Sequence, residues 1–137
     1  MNAQTFISAA GKHLADTSLL TDQRRYDNAA YLSGYVVECC LKALLVFDGM
    51  PTEHELGHDL PLMSANALTL AYVLAPSRRR YDLEGSPDLD ALILSWNPNS
   101  RYDQEGTTVP ALAESRLKGA QTAYAQIAVD LIFDGLI

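Results

Sequence analysis

The chain has 137 residues, of which 48% are hydrophobic and 20% charged, and its formal net charge is −7. These values exclude a disordered chain, and a domain of this length buries roughly 68% of its unfolded surface without metal or disulfide support. The acidic balance also excludes a non-specific nucleic-acid coat, because such proteins rely on many Lys and Arg side chains to neutralise phosphates. We expect a single domain over residues 1–137.

Hydrophobic residues recur three and four residues apart along the chain, and no segment alternates with the period of two that marks a β-strand. The sequence therefore predicts an all-α fold. In chain order, the expected helices cover residues 3–16, 22–47, 60–74, 86–96 and 109–133. The last of these presents a hydrophobic seam suited to packing in a helical bundle.

Capping residues support several of these boundaries. Asp22 is expected to cap the second helix, which Gly49 and then Pro51 would end. Asp59 is expected to cap the third helix. Ser86, followed by proline and aspartate, is expected to cap the fourth.

Neither a leader nor a membrane span is expected, so we predict a cytoplasmic protein. The first 20 residues lack a basic segment followed by an apolar run. The longest apolar stretch, residues 35–47, is interrupted by Glu38 and Lys42 and falls short of the ~20 apolar residues that span a bilayer. Cys39 and Cys40 diverge by about 100° around a helix, so we expect two small buried thiols rather than a disulfide.

The second helix carries a polar stripe within an arc of about 100°. Its members are Arg24, Asp27, Asn28, Tyr31, Tyr35, Glu38 and Lys42. One interpretation is a solvent-facing stripe with Glu38 and Lys42 as an i,i+4 ion pair. The other is a polar cleft or dimer groove, favoured by the two tyrosines. Gly34 lies beside the stripe and indicates that another group approaches closely there, because glycine inside a helix costs about 1 kcal/mol relative to alanine.

Three sequence motifs occur in order between residues 24 and 102. The run Arg25 to Leu45 contains an alanine pair, a small residue, a glutamate and Leu-Lys-Ala; Gly57-His58-Asp59-Leu60 follows, and then Trp96 with Ser100-Arg101-Tyr102. The first motif resembles the long second helix of HEPN (higher eukaryotes and prokaryotes nucleotide-binding) proteins, and the other two match in the expected order. The chain is similar to this family over those residues.

The resemblance implies a four- to five-helix up-and-down bundle that usually forms a homodimer. Family members include ribonuclease toxins, their non-catalytic relatives, and partners of small nucleotidyltransferases in prokaryotic toxin–antitoxin and defence systems. The partners it implies here are a second copy of the chain, a nucleotidyltransferase or antitoxin, and RNA or a nucleotide. No cofactor is implied.

The chain departs from the active members of the family, which carry an arginine, four to six residues, and then a histidine. His13 precedes every arginine, and the nearest arginine before His54 or His58 is Arg25. The usual metal-independent ribonuclease site is therefore not expected.

His58 has two interpretations. It either packs at the entry of the third helix with a bond to the backbone, or serves as a general acid/base or phosphate contact, a role that histidine side chains often take near neutral pH. His54, between two glutamates, is expected to be solvated. The acidic and histidine residues of this loop match no zinc spacing, so no metal is expected.

Arginines provide the other candidates. Arg101 and Tyr102 follow Trp96, and Arg101 is expected either to bind a carboxylate or phosphate ligand or to pair with Glu38. Residues 78–80 are three consecutive arginines in an expected exposed loop. If this acidic protein binds RNA, we expect the RNA phosphates to bind there.

Three functional hypotheses follow. The first is a non-catalytic or weakly active HEPN-like dimer that binds RNA, a nucleotide or a partner protein, with the ligand contacted by Tyr31, Tyr35, Glu38, Lys42, Arg101 and Tyr102. The second is a ribonuclease toxin with a rearranged site made of His58 and Arg101. The third is a structural dimerisation module in which the polar stripe forms the dimer and Gly34 is part of the interface.

Overall fold

The computed structural model describes residues 1–47, 49, 57–74, 81, 83 and 85–135. Five helices are present in this part of the chain, which contains no strand. They are α1 (Ala3–Asp22), α2 (Tyr26–Phe47), α3 (Leu60–Thr69, continued by a π-helical turn Leu70–Leu74), α4 (Pro87–Ser95) and α5 (Pro110–Ala123, continued by π-helical Tyr124–Val129 and Asp130–Phe133). A short 3₁₀ segment, Pro98–Tyr102, lies between α4 and α5. The all-α bundle is confirmed.

Helix α1 is six residues longer than predicted, because it ends at Asp22. The Thr17 hydroxyl donates to the His13 carbonyl at 2.8 Å, and the Thr21 hydroxyl donates to the Thr17 carbonyl at 2.7 Å. Hydroxyl side chains that compete for the backbone often end helices, but here both bond back along the helix. The Thr-Ser stretch therefore continues α1 instead of breaking it.

The start of α2 was predicted four residues too early. Asp22 belongs to α1, so it is not the cap of α2. Arg24 lies in the connecting turn at φ 60, a left-handed conformation that side chains other than glycine rarely adopt, and the Arg25 amide closes the turn on the Leu20 carbonyl at 2.8 Å. Arg24 is therefore not a member of a helical stripe.

Helix α2 is the centre of the bundle, as its nearly continuous apolar circumference predicts. It contacts each of the other four helices and the 3₁₀ segment. Twelve of its residues are buried, including Val36, Val37, Leu41 and Leu44. Cys40 is fully buried, as predicted, whereas Cys39 is only half-buried.

By length and composition alone, α2 is apolar enough to cross a membrane, contrary to the sequence-based expectation. Its most apolar window is 61% buried inside the fold, and core helices of soluble proteins meet the same criterion. The criterion is therefore weak evidence for a membrane span.

The predicted caps of α3 and α4 are confirmed. The Asp59 carboxylate accepts the Leu62 amide at 2.9 Å, and the Ser86 hydroxyl accepts the Leu89 amide at 3.3 Å. Helix α4 then packs against α5 at Gly119, where an added Cβ would lie 3.0 Å from the Asp88 carbonyl oxygen. Small residues of the α5 seam thus allow the two backbones to approach each other closely.

Candidate functional site

Tyr35, in the middle of α2, is surrounded by four aromatic rings from four parts of the chain. Ring centroids lie 5.1 Å away for Trp96, 5.2 Å for Tyr31, 5.6 Å for His58 and 6.0 Å for His13. Trp96 and His58 meet Tyr35 edge to face, the arrangement that aromatic quadrupoles favour. We call these five residues the Tyr35 cluster.

Trp96 covers Gly34 and so explains the glycine in the middle of α2. A Cβ at position 34 would lie 1.9 Å from Cε2 of the indole, so no other residue fits beneath this ring. The indole Nε1 also donates to the Tyr31 carbonyl at 2.9 Å. The predicted close approach is confirmed, but the approaching group is a side chain of the same chain. Assigning Gly34 to a dimer interface was therefore wrong.

The Glu38 carboxylate has two partners. It accepts a hydrogen bond from the Lys42 Nζ at 2.7 Å and contacts the Nδ1 of His58 at 2.9 Å. The Glu38 and Lys42 side chains are only 6% and 9% exposed, whereas His58 is 49% exposed. The solvent-facing interpretation of the stripe is thus wrong for Glu38 and Lys42, and the predicted backbone bond of His58 is replaced by a bond to a carboxylate.

The two tyrosines of the stripe are half-buried, and their hydroxyls lie 3.1 Å apart. Burial, followed by the hydrogen bond with Tyr31, raises the pKa of Tyr35 to about 12. Tyr35 therefore keeps its proton at neutral pH and offers a neutral ring and hydroxyl, so it is unsuited to act as a base.

Arg101 lies at the exposed edge of the site. Its guanidinium carbon is 4.7 Å from the centroid of the Tyr102 ring, and contacts with the side chains of Tyr102 and Tyr31 raise the pKa of Arg101. Within the described residues, Arg101 forms no ion pair with Glu38, which is directed toward Lys42 and His58 instead. The alternative that paired Arg101 with Glu38 is therefore wrong.

His13 belongs to the cluster although the sequence reasoning set it aside. Burial, and then Lys12, lower the pKa of His13, whereas Asp16 and Glu38 act in the opposite direction. The ring is thus biased toward the neutral imidazole. The helical spacing of α1 could have placed His13 on the buried face of that helix, because His13 follows buried Phe6 by seven residues and buried Ala10 by three.

Other predicted residues lie away from the cluster or outside the described residues. Asp27 anchors the segment before α5, since its carboxylate accepts the amides of Gly106 at 2.7 Å and Thr108 at 2.8 Å. These two bonds lower the pKa of Asp27. His54 and the arginine run 78–80 lie outside the described residues, so the predictions made for them stay predictions.

These observations place the chain in the class of helical domains that are built around one long core helix, with an aromatic and charged cluster along that helix. The family model of the HEPN domain matches residues 3–74, more than half of the chain, and the chain belongs to this family. The match includes His13, Tyr35, Glu38 and His58 but ends before Trp96. No curated protein and no solved structure matches the chain. HEPN domains are in general related to nucleotides or RNA and often form dimers.

Proposed function

We propose that the protein binds single-stranded RNA, or its nucleotide units, at the Tyr35 cluster and the adjoining Arg101–Tyr102 pair, without the usual ribonuclease motif. The observation that carries the proposal is the stacking of Arg101 on Tyr102 beside Tyr31. The guanidinium lies 4.7 Å from the ring centroid, and Tyr102 is 75% exposed. An exposed cation and an exposed aromatic ring thus share one short 3₁₀ segment.

These groups match the chemistry of single-stranded nucleic acids. Unpaired bases stack on aromatic side chains, and arginine pairs with phosphate oxygens through its planar fork of donors. Base–aromatic stacking contributes about 1–3 kcal/mol per base. The site combines a ring for stacking with a cation for the backbone.

Local charge supports the proposal even though the chain is acidic. Glu38 is a carboxylate that contacts the cluster through His58, and Lys42 also contacts it. A paired carboxylate repels an approaching phosphate much less than a free one, and potential at a site depends mostly on nearby charges. Arg101, by contrast, is fully exposed and has no carboxylate partner among the described residues.

Fluorescence anisotropy with a labelled ten-nucleotide single-stranded RNA tests this function. We expect Tyr102→Ala to weaken binding by about tenfold, and Arg101→Ala to weaken it and to reduce the slope of log K against log salt by about 0.7. Lys118→Ala is the matched control, because it also removes one exposed positive charge, on α5. Equal losses for Lys118→Ala and Arg101→Ala, or no binding by the wild type, would reject the proposal.

A second candidate, a ribonuclease with a rearranged site, is favoured by one specific observation. Two histidines, His13 and His58, flank the same Tyr35 ring, and Glu38 orients one of them. A pair of imidazoles can act as general base and general acid on a phosphodiester, with Arg101 as a phosphate contact. Incubation of structured RNA with the wild type, His13→Ala and His58→Ala tests this candidate. Cleavage that both variants retain would exclude it.

For the biological setting, we propose a homodimer that works with an antitoxin or nucleotidyltransferase partner in a prokaryotic toxin–antitoxin or defence system. Membership of the HEPN family supports this proposal. Sedimentation of the purified chain gives its mass, and co-expression with the product of the adjoining gene tests the partner. A monomer with no stable partner would contradict both parts. The dimerisation-module hypothesis would instead be supported if the wild type is a dimer, and if Tyr35→Asp is a monomer that still binds RNA.

A further inference from the structure

A cavity of about 340 Å³ lies next to Tyr31 and Trp96, between α2, the end of α4, the 3₁₀ segment and the start of α5. Its volume falls within the range of small-molecule sites, about 300–1,000 Å³. Ser95, Ser100 and Arg116 contribute polar groups to its lining, whereas Arg101 does not line it. The cavity is therefore distinct from the Arg101–Tyr102 surface.

Arg116 is a largely buried cation without a carboxylate partner among the described residues. The residue is 8% exposed, and its one hydrogen bond among the described residues runs from Nη2 to the Ser95 hydroxyl at 2.6 Å. Ser95 gives its own proton to the Ala91 carbonyl at 2.5 Å, so it is a neutral acceptor. No carboxylate within the described residues forms an ion pair with Arg116. A guanidinium has five N–H donors, and a buried charge without a counter-charge is strongly destabilising.

Ser100 provides a second, independent observation in the same cavity. Its hydroxyl oxygen is buried and has no hydrogen-bond partner. Buried polar groups in folded proteins are nearly always hydrogen-bonded, and an unsatisfied one costs about 1–3 kcal/mol. Ser100 and Arg116 both line this cavity, so the unpartnered hydroxyl and the guanidinium lie at one place in the fold.

The acidic residues that line the cavity do not supply the missing partner. Asp27 uses both carboxylate oxygens to accept the amides of Gly106 and Thr108. Asp103 is exposed to solvent and forms no ion pair with Arg116. Burial alone lowers the pKa of Arg116, with no contribution from a neighbouring carboxylate. The cavity therefore contains a guanidinium that no carboxylate contacts within the described residues, together with the unpartnered hydroxyl of Ser100.

We propose that this cavity binds a compact oxyanion, the phosphate or carboxylate group of a small molecule, through the guanidinium of Arg116 and the hydroxyl of Ser100. The planar guanidinium matches either oxyanion with two parallel N–H donors. The Ser100 hydroxyl would donate to a third acceptor position. This site adjoins the proposed RNA surface, since Tyr31 and Trp96 belong to both, but it uses a different cation.

Thermal unfolding of the full chain in different anions tests the site. The wild type, Arg116→Met and Ser100→Ala are heated in chloride, inorganic phosphate, methyl phosphate or acetate at equal ionic strength. We expect a saturable rise in Tm for the wild type in the anion that the site selects, either the two phosphates or acetate. Phosphate also stabilises proteins non-specifically through exclusion from their surfaces. Binding at the site is therefore measured as the rise in Tm of the wild type minus the rise in Tm of Arg116→Met in the same anion.

Calorimetric titration of the same anions gives the affinities. Charged hydrogen bonds contribute about 1.5–3 kcal/mol, so Arg116→Met is expected to weaken binding by about tenfold or more, and Ser100→Ala by a few-fold. In chloride, Arg116→Met is expected to unfold at the same or a higher temperature, because it removes an unpaired buried charge. If that variant does not fold, the site is tested by comparing the anion affinities of the wild type and Ser100→Ala.

An equal Tm rise in the wild type and both variants, or no saturable rise in any anion, would overturn the site. Arg101→Ala separates this inference from the proposed function. We expect it to weaken RNA binding and to leave the anion-dependent rise in Tm unchanged. Loss of that rise in Arg101→Ala would show that the two sites are one.

Discussion

Gly34→Ala is the most informative single substitution in the fold. The added methyl carbon would lie 1.9 Å from Cε2 and 2.1 Å from Cδ2 of Trp96, far inside van der Waals contact. Both atoms belong to a rigid ring, so the indole must shift as a whole. That shift breaks the 2.9 Å hydrogen bond from its Nε1 to the Tyr31 carbonyl.

The expected destabilisation combines three terms. Overpacking a well-packed site typically costs about 1–3 kcal/mol, and the lost hydrogen bond costs about 0.5–1.5 kcal/mol. In the opposite direction, alanine stabilises the helix by about 1 kcal/mol relative to glycine, because it is a better helix former. We therefore expect Gly34→Ala to lower the free energy of unfolding by about 2 kcal/mol.

Urea unfolding followed by circular dichroism measures this change, and the emission of Trp96, the single tryptophan of the chain, reports the displacement of the ring. Gly11→Ala is the control, since its Cβ would lie 3.2 Å from the hydroxyl of Tyr124, the end of a side chain that can shift. In a Trp96→Ala background, Gly34→Ala should become neutral or stabilising by up to about 1 kcal/mol. Equal destabilisation in both backgrounds, with unchanged Trp96 emission in the single variant, would refute the reasoning.

Three further predictions concern charged and thiol groups. Glu38→Ala leaves Lys42 buried without a counter-charge, so we expect the free energy of unfolding, measured in urea, to fall by about 3–5 kcal/mol. Adding Lys42→Met should restore part of this free energy, because it removes the unpaired charge. Equal losses for the single and double variants would contradict the buried pair. Backbone hydrogen bonds lower the pKa of Asp27 from 3.8, so its stabilisation is complete above that pH and is lost as pH falls through the lowered value. The stabilities of the wild type and Asp27→Asn should therefore converge in acid, and parallel curves of stability against pH would argue against this role. Burial raises the pKa of Cys39 to about 11 and that of Cys40 further, so both thiols should react slowly with a disulfide reagent at pH 7 and rapidly in urea; fast labelling of the native protein would exclude their burial.

The fold was largely predictable because its signals are local. The apolar circumference of α2 predicted its central position, and Asp59 and Ser86 predicted the starts of α3 and α4. Boundaries failed where side chains made unforeseen local bonds. Thr17 and Thr21 continue α1 by bonding back along the helix, and the chain then turns at residue 24.

The site was predictable only in part, because its contacts join distant segments. The stripe on α2 contained Tyr31, Tyr35, Glu38 and Lys42, and the glycine beside it predicted a close approach. The identity of the approaching group, Trp96, depends on a contact 62 residues away in the chain, which no local pattern encodes. The choice of His58 rather than Arg101 as the partner of Glu38 is likewise decided by tertiary packing.

The emission of Trp96 during titration with single-stranded RNA tests the central claim most directly, because the indole packs against Tyr35 and bonds to Tyr31. A ligand at the Tyr35 cluster should change this emission saturably in the wild type and in Lys118→Ala, with the same midpoint as anisotropy. Arg101→Ala should require about tenfold more RNA. RNA binding that leaves Trp96 emission unchanged and is not weakened in Arg101→Ala would contradict the account.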